Sequence, residues 1–124
     1  MSDIKGDLCI RVVAFPADTN PSGNIFGGWL MSQMDTAGGV FCRKIVKGRV
    51  VTVAVSAMEF LHPVFVGDTL CCYVDLVKIN TTSMTVHIEA WVNRGFDDTG
   101  RVKVTEGTFT YVKLGDDLKP AKIN

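Results

Sequence analysis

A chain of 124 residues can bury one hydrophobic core and is short of what two would need, so one domain over residues 1–124 is expected. Hydrophobic residues make up 47% and charged residues 21%, a balance that excludes a disordered chain and predicts a packed globular one. Thirteen basic and thirteen acidic side chains cancel to a formal net charge of zero. No overall field therefore draws the chain to nucleic acid or an anionic membrane, and any anionic partner must be met by local charge.

The opening, Met1 to Asp7, mixes acids with a lone Lys5 and lacks the basic-then-apolar layout of a secretion signal. No apolar run approaches the ~20 residues that span a bilayer. A cytoplasmic protein with no membrane partner is the expectation. Leu8 to Ala14 is β-like, and Phe15 to Gly23, with two prolines, Asp18, Asn20, Ser22 and Gly23, is a loop of turn chemistry. From Phe26 to Ile45 the apolar residues Leu30, Met34, Ala37, Phe41 and Ile45 recur three or four apart, which predicts the one good helix. Val50 to Met58, Thr69 to Ile79, Ser83 to Asn93 and Val102 to Lys113 are rich in Val, Ile, Thr, Tyr and Phe and bounded by Gly, Pro, Asn or Asp, which predicts four more strands. One helix among closely spaced strands is an α+β arrangement, an antiparallel sheet packed on one long helix.

Two features of this outline stand out. Between Asp18 and Arg43 the only formally charged residue is Asp35, so most of the helix circumference is expected to be buried. Val50 to Val55 is apolar on both faces and would be an aggregation hazard as an exposed edge. Pairing with the same strand of a second subunit removes the hazard and gives a two-fold dimer; the alternative is a central strand within one subunit. The four cysteines, Cys9, Cys42, Cys71 and Cys72, lack C-x-x-C spacing and read as buried reduced thiols. No metal site is expected. Adjacent Cys71 and Cys72 point to opposite faces of their strand.

Chemistry concentrates on the helix. Helical spacing sets Met31, Gly38, Gly39 and Cys42 around Asp35, a small and apolar side. Each mid-helix glycine costs about 1 kcal/mol relative to alanine, so the Gly38-Gly39 pair predicts close approach by another backbone or a ligand. A carboxylate facing such a gap suits a base or nucleophile, against the alternative of a structural acid bonded to a loop. Gly27 and Gly28 open the helix, where unpaired backbone N–H groups are natural donors to an oxyanion. The amide of Asn20 can donate to a carbonyl or hold a water; for Asn20 and Asn24 alike the alternative is an ordinary turn role.

The run Thr19-Asn20-Pro21-Ser22-Gly23-Asn24-Ile25-Phe26-Gly27-Gly28-Trp29-Leu30-Met31-Ser32-Gln33-Met34-Asp35, followed by Gly48-Arg49-Val50-Val51-Thr52-Val53-Ala54-Val55, resembles the YciA-type acyl-coenzyme A thioesterases. The likeness extends from about Arg11 to Lys113 and includes Pro63, Gly67-Asp68 and Ser83-Met84. It implies a hotdog fold, a five-stranded antiparallel sheet wrapped around one long central helix, with dimers assembled into a homohexamer and the active site at the dimer interface. Asp35 matches the family's catalytic carboxylate, a general base on water or a nucleophile. Asn20 matches the asparagine supplied by the partner subunit, and Gly28 lies where the helix start receives the thioester carbonyl. The chain departs from the pattern at Asn24, where relatives often carry Asp. Many relatives also continue into a longer charged tail, so coenzyme A contacts made there are not carried over.

Hydrolysis of a thioester needs a water, a base and donors to the carbonyl oxygen, and neither metal nor separate cofactor; coenzyme A is part of the substrate and product. Only His62 and His87 are present, and each reads as structural, which disfavours a Ser-His-Asp site. The hotdog dehydratases generally use a histidine near this helix, and none precedes or lies within it. Arg43, Lys44, Lys47 and Arg49 form a basic run that either meets the coenzyme's phosphates or offsets the helix dipole. Ser83, in the turn from Asn80, is a phosphate candidate or part of a plain hairpin. Glu59 and Phe60 border the expected acyl tunnel or serve as rim. The competing function is a non-catalytic acyl-coenzyme A sensor or carrier, which no accompanying helix-turn-helix supports.

Overall fold

The computed structural model describes residues 4–94 and 100–123; Met1 to Asp3, the start of the opening segment, lie outside them. The elements run β1 (Asp7–Val13), a 3-10 turn (Pro16–Asp18), α1 (Gly27–Val46), β2 (Arg49–Phe60), β3 (Thr69–Ile79), β4 (Ser83–Asn93) and β5 (Arg101–Leu114). The strands pair antiparallel in the order β1-β3-β4-β5-β2, and α1 packs on one face of the sheet. This is the hotdog fold that the resemblance implies. No described helix is long and apolar enough to cross a membrane.

Period-two alternation builds the core. Val86, Ile88, Ala90 and Val92 on β4 and Leu70, Cys72 and Val74 on β3 face inward with Leu30, Met34, Ala37, Cys42 and Val46 of α1. Each large apolar side chain so buried contributes roughly 1.5–3 kcal/mol. Cys71, Tyr73 and Trp91 take the outer face and form a separate small cluster with Ile4. Cys71 and Cys72 thus point to opposite faces, and all four cysteines are free thiols, three of them buried and Cys9 half-buried.

Two expectations about α1 are corrected. Its buried residues are Leu30, Met34, Ala37, Gly38, Cys42 and Val46, while Ile45 is 41% exposed and Phe41 only half-buried. A true 3.6-residue repeat drifts past a pattern that ends at 41 and 45, and Cys42 and Val46 take those places. The circumference is also not mostly buried within one chain: Gly27, Gly28, Met31, Ser32 and Thr36 are exposed, because a single curved sheet covers one side only. The helix closes at Lys47, whose left-handed backbone (φ 54°) lets its N–H donate to the Arg43 carbonyl at 2.8 Å, a common helix stop.

The apolar run of β2 is not a central strand. Among the described residues it pairs only with β5 and forms one edge of the sheet, and Val51, Val53 and Val55 are exposed, Val53 to 55%. Bulges interrupt it between Thr52 and Ala54 and between Ser56 and Glu59, the second containing Ala57 at φ 50°, and they bend the strand around the helix.

Candidate active site

α1 and β2 lie side by side and antiparallel. Their seam carries, in order, a cleft at the helix start, the Asp35 carboxylate, and a cationic hollow at the helix end. The cleft, about 300 Å³, is lined by Asn20, Asn24, Gly27, Leu30, Phe60 and His62 among others. Helix and cleft meet here because the Phe60 ring comes within 3.4 Å of where a Gly27 side chain would begin. The hollow, about 770 Å³, is lined by Arg43, Lys44 and Arg49 with Val40, Val50, Val51 and Leu114.

At the seam's centre, Thr52 Oγ1 donates to Asp35 Oδ1 at 2.6 Å. The Tyr111 hydroxyl lies 3.0 Å from the same oxygen and 2.8 Å from the Asp35 carbonyl, so its proton is shared between the two. Both donors are neutral, and among the described residues neither ion pairs nor hydrogen bonds reach Oδ2. Burial first, and then the negative charge of Asp35, push the Tyr111 phenol well above its ordinary range, so it stays a donor through physiological pH. Asp35 is half-buried and belongs to no three-residue cluster of metal-ligating side chains among the described residues.

Tyr111 also explains one glycine. A Cβ on Gly38 would overlap the Tyr111 hydroxyl, whereas one on Gly39 meets nothing within 4 Å among the described residues. The close approach expected at the Gly38-Gly39 pair is therefore by a side chain at Gly38 and is not made by the described residues at Gly39. Of the neighbours expected around Asp35, Gly38 is buried against the Tyr111 hydroxyl that bonds this acid, Cys42 is buried in the core and Met31 is exposed.

The helix start is uncapped. Phe26 at the cap makes no side-chain hydrogen bond and no acid lies in the first turn, so the N–H groups there stay available. Space beside Gly28 is open, with nothing among the described residues within 4 Å of an added Cβ. Asn20 builds the preceding turn. Its Oδ1 accepts from Ser22 N at 3.0 Å and Asn24 N at 3.1 Å, and its backbone N–H donates to the Asn24 carbonyl at 2.7 Å. The amide nitrogen has no partner among the described residues.

The remaining candidates scatter. Lys47 lines a different hollow, with Ile45, Ile79 and Lys122. Glu59 is exposed and pairs across strands with Glu106, outside the cleft that Phe60 joins. Ser83 pairs with Val112 and accepts, through its carbonyl, from Asn80 N at 2.8 Å, a plain hairpin closure. Sequence reasoning missed Thr52 and Tyr111 as partners of Asp35. The available signals were a single hydroxyl inside an otherwise apolar β2 run and a tyrosine on a core-facing strand position, whose O–H must find an acceptor.

Residues 22–95 match the family model described as the thioesterase superfamily. The chain belongs to that superfamily. This thioesterase-superfamily chain is 51% identical over 118 residues to the acyl-CoA thioester hydrolase YciA of Salmonella typhimurium, covering 94% of this chain and 89% of the relative, which sets it among the YciA-type members. Among solved structures it superposes on the hexameric thioesterase y2039 of Yersinia pestis with a TM-score of 0.91 and 48% identity, covering 99% of each chain. A hexameric broad-specificity acyl-coenzyme A thioesterase superposes with a TM-score of 0.91 and 42% identity, covering 99% of this chain and 84% of that one.

Proposed function

We propose that the protein hydrolyses acyl-coenzyme A thioesters to the free acid and coenzyme A, with Asp35 as general base at a site shared by two subunits. The observation that carries this reading is the half-buried carboxylate whose Oδ1 meets two neutral hydroxyls, leaving Oδ2 for a water. The names of the most similar relatives support the substrate class.

The spacing along α1 favours a site shared by two chains. Gly28 and Asp35 are seven residues apart, about 10.5 Å along the helix, whereas a base, a water and a bound carbonyl span roughly 6 Å. Pairing the free β2 edges of two copies about a two-fold axis runs their seams in opposite directions. That arrangement brings the helix start of one copy towards the middle and cationic end of the other. It also covers Val51, Val53 and Val55.

In this scheme Asp35 Oδ2 takes a proton as the water oxygen bonds to the thioester carbon. The oxyanion is received by the N–H groups at Gly28 and the Nδ2 of Asn20, both from the partner subunit. Collapse breaks the carbon–sulfur bond, and the proton returns from Asp35 to the leaving sulfur. Arg43, Lys44 and Arg49 meet the coenzyme phosphates; Phe60, Gly27 and Asn24 border the acyl group. Coenzyme A enters and leaves as part of substrate and product. The hexameric neighbours support three such dimers per assembly, and the free thiols fit a reducing cytoplasm.

Thiol release from a panel of acyl-coenzyme A substrates tests the reading. Wild type is expected to turn over and Asp35→Asn to bind coenzyme A normally while losing about a thousandfold in kcat. Binding without turnover by wild type would instead identify a sensor or carrier.

A further inference from the structure

The face of the sheet turned away from α1 holds a second constellation. His87 and Glu89 sit two apart on β4, and Glu106 lies on β5 directly across from Glu89. Like charges so placed repel, and Glu89 is only 4% exposed. Its Oε1 accepts from Trp91 Nε1 at 2.9 Å. Its Oε2 accepts no hydrogen bond among the described residues and faces His87 Nε2 at 3.6 Å. The same nitrogen is 3.1 Å from Glu106 Oε1, which Lys103 Nζ approaches at 3.4 Å.

Two of the separations in this cluster match those between ligands of one ion. Zinc bonds to nitrogen and oxygen of about 2.0–2.2 Å set tetrahedral edges of roughly 3.3–3.6 Å, close to the two separations of 3.1 and 3.6 Å. One oxygen or nitrogen from each of the three residues lies within 4.8 Å of the others. An imidazole with two carboxylates suits zinc-class ions. Two carboxylates also balance a divalent charge, whereas Lys103 reaches only Glu106 and a proton on His87 leaves the buried Glu89 Oε2 beyond hydrogen-bond reach at 3.6 Å.

We propose that His87, Glu89 and Glu106 form a zinc-class divalent-metal site that clips β4 to β5, with a water as fourth ligand. The clip lies across the sheet from Asp35, so it acts on the stability of the sheet and not on turnover. Trp91, bonded to a ligand, reports its occupancy.

Chelator-treated protein would be titrated with zinc alone by calorimetry and tryptophan fluorescence, comparing wild type with His87→Ala and Glu106→Gln. Both variants change partly exposed side chains, and circular dichroism would verify that they fold. One zinc per chain is expected, weakened about tenfold or more in each variant, with a zinc-dependent rise in Tm in wild type only. Cobalt in place of zinc should give the intense visible bands of a four-coordinate site. The proposal fails if wild type shows no saturable binding at micromolar zinc. It fails equally if binding persists in His87→Ala and disappears on alkylating the cysteines, which would assign the metal to thiols.

Discussion

Asp35 and Glu89 are carboxylates on opposite faces of the same sheet, and they are handled in opposite ways. Asp35 is half-buried, has its Oδ1 against two neutral hydroxyls and has no cation within ion-pair distance among the described residues. Glu89 is almost fully buried, has one oxygen bound by an indole and sits among His87 and a second acid. Neutral donors stabilise a carboxylate without satisfying its charge, so Asp35 retains an oxygen able to take a proton. Surrounding ligands demand a cation, so Glu89 is suited to holding one. The same functional group is thus turned towards reaction on one face and towards structure on the other.

The largest expected contrast comes from removing one partner on each face. Asp35→Asn should lower kcat by about a thousandfold, while His87→Ala should leave kcat for the same substrate within about twofold; comparable losses in both would erase the distinction. Tyr111→Phe comes next. It deletes the hydroxyl shared by the carboxylate and carbonyl of Asp35, so kcat should fall about tenfold with KM little changed and stability fall by roughly 1–2 kcal/mol. A urea titration beside the kinetics separates the two effects, and a loss of stability with full kcat would make Tyr111 purely structural.

Much of this was legible from the chain. Alternation and turn residues located all five strands to within two residues, because half-buried antiparallel strands write their period into the sequence. The lone acid of the helix, the only charged residue between Asp18 and Arg43, and the glycine pair that opens it could be read in the same way. The partners of Asp35 could not, since Thr52 and Tyr111 reach it only through the β2–β5 register, where they stand opposite each other. Glu106 was hidden for the same reason: His87 and Glu89 are a visible i, i+2 pair, but the third ligand arrives from another strand. Ile45 was misassigned because periodicity counted in whole steps ignores the drift of a 3.6-residue turn.

The smallest effect under working conditions concerns the core beneath both faces. Burial first, aided by neighbouring thiols, pushes Cys42 and Cys72 from 9.0 up to about 12. At neutral pH both states hold these protons. Above about pH 9 the unfolded chain ionises first and binds fewer protons, so stability should fall as pH rises from about 9 towards 12. Urea midpoints near neutrality and at about pH 10 measure this, and Cys72→Ala should flatten the decline.

The site's division between two chains is tested most directly by mixing inactive subunits. Asp35→Asn and Asn20→Ala chains, each expected to be nearly inactive alone, would be co-expressed with different tags and assayed for thiol release. Half of randomly formed dimers are mixed and each rebuilds one intact site of two, so about a quarter of wild-type activity should return. No recovery in verified mixed assemblies would mean that Asp35 and Asn20 serve the same reaction from one chain, contrary to the account given.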